Sequence, residues 1–104
     1  MAATLKVLRS YTTASLGRLR QVIGTHEPAL IFSTMEYPIG MEPEDGQRQE
    51  QRRIIEACDR LEQAGAVLEL GYAPARNDPF EVIDRTFMMN GFESDIEYLR
   101  QEHD

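Results

Sequence analysis

The chain has 104 residues, of which 41 % are apolar and 28 % are charged. This length and composition predict one compact, soluble domain spanning residues 1–104 and exclude a disordered or fibrous chain. Eighteen acidic side chains against eleven basic ones give a formal net charge of -7, which repels phosphate and argues against non-specific nucleic-acid binding. No apolar run approaches the roughly 20 residues that cross a bilayer, so we expect no membrane span.

Cys58 is the only cysteine, and the chain has two histidines. An intramolecular disulfide is therefore impossible, and no zinc site, other metal site or cofactor is expected. A lone thiol is typical of a reducing compartment, which favours a cytoplasmic location. The basic residues are ten arginines and one lysine, a usage typical of GC-rich bacterial genomes.

The N-terminal third predicts a strand, a helix and a second strand. Residues 5–11 alternate as on a strand, although Leu5 and Leu8 also fit helical spacing. The next segment predicts a helix that ends at Gly24, because its apolar residues recur at three and four positions. The run ALIFSTMEY at 29–37 is rich in strand-forming residues and predicts the second strand.

A polar segment then leads into a long helix that ends at Gly65. The second half of this helix is amphipathic, and Cys58 lies in the middle of its apolar stripe as a small structural hydrophobe. The same face continued backward carries Gln51 and Gln47. The first turns are therefore expected to project past the core, into solvent or against a polar partner.

The C-terminal third predicts a strand followed by two helices. AVLELGY at 66–72 has the pattern of a strand. Asp78, Pro79 and Glu81 fit a helix start, with an N-cap, a proline at the first position and a capping box. This helix would span 79–90 and end at Asn90-Gly91. A second capping pattern at Ser94 predicts a short last helix.

The resulting order β-α-β-α-β-α-α predicts an α/β or α+β fold, with a small three-stranded, mixed or parallel sheet and about four helices. A ferredoxin-like α+β sheet is the alternative. A winged helix is a further alternative, because RIIEACDRLEQAGAVLEL resembles a recognition helix followed by a wing strand. It is disfavoured because Glu56, Asp59 and Glu62 stand where basic side chains would contact phosphate. In addition, the helix start predicted at Asp78 occupies the segment that the return strand would need.

In a parallel sheet, ligands bind beyond the carboxyl ends of the strands. The sequence therefore predicts a pocket there for a small ligand, with a small anion as one option, Glu36 as the weak candidate for a general base and hydroxyl groups as donors. No motif with a specific chemistry supports an enzyme. The ligand-binding candidates are Tyr11, Thr12, Thr13, Ser15, Glu36, Tyr37 and Tyr72.

The favoured function is a non-enzymatic interaction module that associates with itself, as a homodimer, or with another protein. The predicted helix 79–90 carries Phe80, Ile83 and Phe87 on one side and Val82 and Met89 on the other, and the second apolar side needs either the last helix or another chain to cover it. A third alternative is an acidic inhibitor of a basic, nucleic-acid-binding protein. The candidate interface residues are Val82, Phe87, Met88, Met89, Phe92 and Tyr98.

Overall fold

A computed structural model of the chain describes residues 2–25, 27–33, 39–75 and 77–102. These residues form four helices and one two-stranded antiparallel sheet. The predicted three-stranded mixed or parallel sheet, its order β-α-β-α-β-α-α and the ferredoxin-like alternative are therefore wrong, because the described fold is mostly helical. The elements in chain order are α1 (Ala2–Arg9), α2 (Leu16–Gly24), α3 (Pro43–Gln63), β1 (Leu70–Tyr72), β2 (Glu81–Ile83) and α4 (Arg85–Glu102).

The main apolar core lies where α1, α2 and the C-terminal part of α3 meet. Half-buried side chains of the connecting segments, among them Leu30 and Leu68, pack against it. α3 contacts both α1 and α4, so it is the element around which the others are arranged. The buried leucines of this core are Leu5, Leu8, Leu19 and Leu61.

The predicted first strand is a helix in the structure. Leu5 and Leu8 are only 3 % and 4 % exposed, and helical geometry places residues three apart on the same face, whereas a strand would turn them to opposite faces. The apolar residues of this short segment fitted both the period of a strand and that of a helix. Because both leucines are buried in one core, the segment forms a helix.

The predicted helix after the first element is confirmed as α2. The Arg18 N–H donates to Ser15 Oγ at 3.1 Å, so Ser15 is the N-cap and satisfies one of the free donors of the first turn. Gly24 is the last residue of the helix, as predicted.

The predicted second strand is wrong for residues 29–33, and its remainder, 34–37, lies outside the described residues. Ala29 and Leu30 pack against the core, but Ile31 is 70 % exposed. A strand that is apolar on both faces needs cover on both faces and a hydrogen-bonded neighbour. The strand-forming composition could not create a strand here because the segment is covered on one side only.

The long helix predicted before Gly65 is confirmed as α3. Gly65 has a φ of 95°, a left-handed conformation that glycine adopts without steric cost and that commonly terminates helices. The Ala66 N–H donates back to Leu61 O at 3.0 Å, which closes the helix end.

The first turns of α3 do not project past the core. Gln47 and Gln51 are 3 % and 5 % exposed, on the side of α3 against which α4 packs. The Gln51 Nε2 group donates to Phe92 O at 3.2 Å. The expectation of a solvent-facing or partner-facing surface was wrong, because buried amide side chains are tolerated where they find hydrogen-bond partners.

Only residues 70–72 of the predicted third strand form a strand, β1, which pairs with β2 in an antiparallel hairpin. Leu70 lies opposite Ile83, and Tyr72 lies opposite Glu81. Residues 66–69 belong to no strand. Glu69 in this segment is exposed.

The helix start predicted at Asp78 is wrong. The Asp78 N–H donates to Ala75 O at 3.0 Å, within the loop of the hairpin, because Asn, Asp and Pro serve turns as well as helix caps. The helix begins at Arg85 instead. Its first turn is capped by Asp84, whose Oδ1 accepts from the Phe87 N–H at 2.7 Å.

The predicted stop at Asn90-Gly91 and the restart at Ser94 are also wrong, because α4 is one continuous helix. A glycine inside a helix costs about 1 kcal/mol relative to alanine. Burial of the apolar stripe on either side of Gly91 offsets this cost, since Met88 and Ile96 are 8 % and 1 % exposed. The predicted C-terminal helical hairpin therefore does not exist.

Ion pairs at both ends hold α4 antiparallel to α3. At the start of α4, Arg85 Nη1 lies 2.8 Å from Asp59 Oδ1, and Arg85 Nη2 lies 3.1 Å from Glu62 Oε1. Near its end, Arg100 Nε and Nη2 donate to Glu44 Oε1 at 3.0 and 2.7 Å. The Gln51 hydrogen bond lies between these two pairs along both helices, so all three contacts fix one register.

Replacing Leu19 by alanine should destabilise the chain by about 2–5 kcal/mol, because it removes a fully buried side chain from the main core. Leu16→Ala on the same helix is the matched control, since Leu16 is 39 % exposed and should cost much less. Urea unfolding followed by circular dichroism measures both. Equal losses for the two variants would contradict the described orientation of α2.

The position of the α4 cap can be tested with two aspartates. Asp84→Ala should destabilise the chain by about 0.5–2 kcal/mol, the usual effect of losing an N-cap acceptor. Asp78→Ala should have little effect, because the loop around Asp78 is held by backbone hydrogen bonding. Urea unfolding of both variants decides, and a larger loss for Asp78→Ala would favour the helix start predicted from the sequence.

The pKa of Glu44 is lowered, chiefly by the hydrogen bonds from Arg100, with Arg48 contributing further. A carboxylate whose pKa is lower in the folded chain stabilises it above the pKa of the unfolded residue, and this contribution disappears as the pH falls through the folded pKa. Acidification should therefore loosen the C-terminal end of α4 before the rest of the chain.

NMR of the Glu44 carboxyl carbon and the Arg100 Hε proton measures this loosening directly. Both signals should titrate together at a pH below that of an ordinary glutamate. Glu44→Gln should remove the pH dependence of the Arg100 signal. An unshifted Glu44 titration would show that the ion pair does not form in solution.

Candidate functional site

The predicted strand-end pocket depended on a parallel sheet, and the described residues contain none. Thr12, Thr13 and Ser15 lie in the connection between α1 and α2, where the Ala14 N–H donates to Thr12 Oγ1 at 3.2 Å and Ser15 caps α2. Tyr72 lies on β1, in the hairpin. Glu36 and Tyr37 lie outside the described residues, so a ligand site formed by these side chains stays a prediction.

Tyr11, another candidate of that pocket, lies at the centre of an aromatic and charged cluster. Its hydroxyl donates to Glu56 Oε1 at 2.7 Å and accepts from Arg60 Nη1 at 3.2 Å. Its ring lies edge-on to Phe32, with 6.2 Å between the ring centroids. The guanidinium of Arg53 lies 5.5 Å from the centroid of Phe32 and 5.9 Å from that of Tyr11, within the range of a cation–π contact.

This Tyr11 cluster joins the end of α1, the 27–33 segment and α3, but it has little capacity for catalysis. Burial and the hydrogen bond to Glu56 raise the pKa of Tyr11, so its hydroxyl stays protonated at neutral pH. Glu56 is 62 % exposed and lies 3.7 Å from Arg60. Its carboxylate is already engaged by the Tyr11 hydroxyl and the Arg60 guanidinium. The Tyr11 cluster therefore stabilises the packing of the end of α1 and the 27–33 segment against α3.

Cys58 is not a reactive thiol. Its side chain is buried on α3, and burial is the main cause that raises its pKa above the ordinary value of cysteine. Because the thiolate is the nucleophile, a raised pKa lowers reactivity at neutral pH. This agrees with the structural role expected from the sequence.

The candidate interface residues divide into two groups. Met88 is buried at 8 % exposure, and Phe92 is half-buried where its carbonyl meets Gln51, so these two belong to the contact between α3 and α4. The others remain accessible to a partner. Their exposed fractions are 71 % for Val82, 58 % for Phe87, 42 % for Met89 and 62 % for Tyr98.

Phe87 and Tyr98 share one side of α4 with residues that carry no charge. At 100 degrees per residue, the side turned away from α3 presents six uncharged positions between Phe87 and Gln101. Gly91 among them is half-buried, and the other five are exposed. We call this surface the outer face of α4; its residues are Phe87, Asn90, Gly91, Ser94, Tyr98 and Gln101. Sequence reasoning missed it because the Asn90-Gly91 pair was interpreted as a helix stop.

The hairpin carries a second exposed apolar surface. Phe80 packs over Gly71, where an added Cβ would lie 3.1 Å from the Phe80 Cβ. Phe80 is 49 % exposed, and Val82, paired with Gly71, is 71 % exposed. The strand face that carries these side chains is therefore open, whereas Leu70 and Ile83 on the opposite face are half-buried.

The described residues contain no cluster of three or more His, Cys, Asp or Glu side chains suited to holding a metal ion. Among the described helices, none combines the length and the apolar character needed to span a bilayer. No protein-family model, curated protein or solved structure matches the chain.

Proposed function

We propose that this chain is a non-enzymatic interaction module that self-associates through the outer face of α4 and resides in a reducing cytoplasm. The observation that carries the proposal is that this face is exposed and uncharged over most of an 18-residue helix. In a chain with 28 % charged residues, a helix face in contact only with water usually carries charges. The lone buried thiol supports the reducing location.

The continuity of α4 strengthens this proposal. The sequence left open whether a last helix at 94–102 covers the second apolar side of the preceding helix. Residues 94–102 instead continue the same helix, so they cannot fold back over Met89. Phe87, which was predicted on the other side of the helix, is 58 % exposed as well. Exposed aromatic side chains such as Phe87 and Tyr98 bury large areas when a partner covers them.

A second copy suits this face because the face has an approximate two-fold pattern. Phe87 and Tyr98 lie at equal distances along the helix from the midpoint between Gly91 and Ser94. If two copies of α4 cross antiparallel at that midpoint, each Phe87 meets the partner's Tyr98, and the small side chains allow close approach. A closed dimer of this kind uses the same surface on both copies. Absence of charge also limits the repulsion between two acidic chains.

Nucleic-acid binding remains disfavoured, although the objection that a winged helix would lack its return strand no longer applies. The return strand exists as β2, and a hairpin does follow α3. However, Arg48 and Arg60 on α3 lie within 4 Å of Glu44 and Glu56, so their charges are largely compensated. The link between α2 and α3, residues 25–42, is also far longer than the three or four residues of a helix-turn-helix.

An acidic inhibitor is disfavoured for the same reason. Arginines pair with the acidic side chains of α3 and interrupt any continuous negative surface. Mimicry of nucleic acid needs such a surface, because its affinity depends on long-range attraction to a basic partner.

Self-association through the outer face of α4 can be tested with Phe87→Glu and Tyr98→Glu. Each substitution places a charge on a surface that the dimer would bury, so association should weaken at least about tenfold. Light scattering coupled to size-exclusion chromatography at several protein concentrations measures it. The matched control is Ile31→Glu, which alters a side chain that is 70 % exposed in the 27–33 segment on the far side of α3.

In about 1 M salt, where contacts between charges are screened, the expected result is a concentration-dependent dimer for the wild type and the Ile31→Glu variant, and a monomer for the two α4 variants. A wild-type chain that remains monomeric at every concentration would refute self-association. Equal loss of the dimer in all three variants would place the interface elsewhere.

A further inference from the structure

A basic groove lies between α1 and α2. It has a volume of about 470 Å³, its floor includes Leu5 and the partly exposed Leu16, and Lys6, Arg9 and Arg20 line it. No acidic side chain is among its described lining residues, and these three cations form no ion pair with any described residue. In a chain of net charge -7, three cations without a counter-charge around an apolar floor form a surface suited to an acidic, amphipathic partner.

The same chain carries a surface of that chemistry on α4. Met89, Glu93 and Glu97 are spaced four residues apart and therefore form one line along the helix, and all three are exposed. Arg100, which interacts electrostatically with both glutamates, is engaged chiefly by hydrogen bonds to Glu44. We call this line the acidic stripe of α4. It borders the outer face, because Glu97 lies about 20 degrees around the helix from Asn90.

We propose that the basic groove of one copy binds the acidic stripe of α4 of a second copy. Grooves between two helices accept a third, amphipathic helix, whose spaced side chains act as anchors. Met89 would contact the Leu16 edge of the groove, and Glu93 and Glu97 would pair with its cations. Charge complementarity selects this occupant, because the two surfaces have opposite charge and each combines it with an exposed apolar side chain.

This contact is head-to-tail, since each copy contributes a different surface. Such contacts form open chains rather than closed dimers unless their rotation closes a ring. Association would therefore extend beyond the two-fold contact of the outer face, and it would depend on salt. The proposal is independent of the outer face, and either contact can form without the other.

A charge swap tests the proposal. The groove variant carries Lys6→Glu, Arg9→Glu and Arg20→Glu, and the stripe variant carries Glu93→Lys and Glu97→Lys. Each variant alone should lose at least about tenfold in head-to-tail association, because groove and stripe then have the same charge. An equimolar mixture should restore it, because each groove again meets a stripe of opposite charge.

Sedimentation velocity in about 0.01 M and about 1 M salt gives the readout, since the Debye length falls from about 30 Å to about 3 Å. Species larger than a dimer should form at low salt in the wild type and in the mixture, and should disappear at high salt. Phe87→Glu should leave these larger species able to form, which separates this contact from the outer face. Circular dichroism verifies that the exposed substitutions leave the helices folded.

Several outcomes would overturn the proposal. Unchanged association in either charge-reversed variant would show that the groove and the stripe do not meet. Failure of the mixture to restore association would have the same meaning. Binding of single-stranded DNA or anionic vesicles to the wild type but not to the groove variant, without restoration by mixing, would assign the groove to another anion.

Discussion

The two halves of α3 are the constraint on which the rest of the structure depends. Its C-terminal half is apolar and closes the leucine core with α1 and α2, whereas its N-terminal half buries Gln47 and Gln51 beneath α4. Buried amides are stable only when their polar atoms find partners, and the carbonyl of Phe92 is one of them. The α3–α4 contact therefore combines polar contacts with the burial of Met88 and Ile96 of α4.

This division explains why sequence reasoning succeeded in some places and failed in others. α2 and α3 could be predicted because their apolar stripes have one clear period and end at Gly24 and near Gly65. The α1 segment was ambiguous because two leucines in so short a run fit either period. At 29–33, composition favoured a strand, but among the described residues no strand lies beside this segment to bond with it.

The predictions for the C-terminal third were wrong for a different reason. Aspartate, proline, asparagine and glycine occur at helix ends and in turns alike, so local signals at Asp78 and Asn90 could not show which was used. The choice is made by long-range contacts, namely the pairing of β1 with β2 and the burial of Met88 and Ile96 against the rest of the chain. The same error concealed the outer face of α4, because its residues share a side only when 85–102 is one helix. The basic groove was also missed, although the absence of acids from the first 26 residues signalled it.

The burial of Cys58 gives the chain an internal reporter. The guanidinium of Arg85 lies near enough to influence this thiol, so the thiol is close to the ion pairs that hold the start of α4. Reagents such as maleimides would reach the sulfur only when this region opens. The rate of labelling would thus measure how often α4 departs from α3, without any engineered probe, because the chain has no other cysteine.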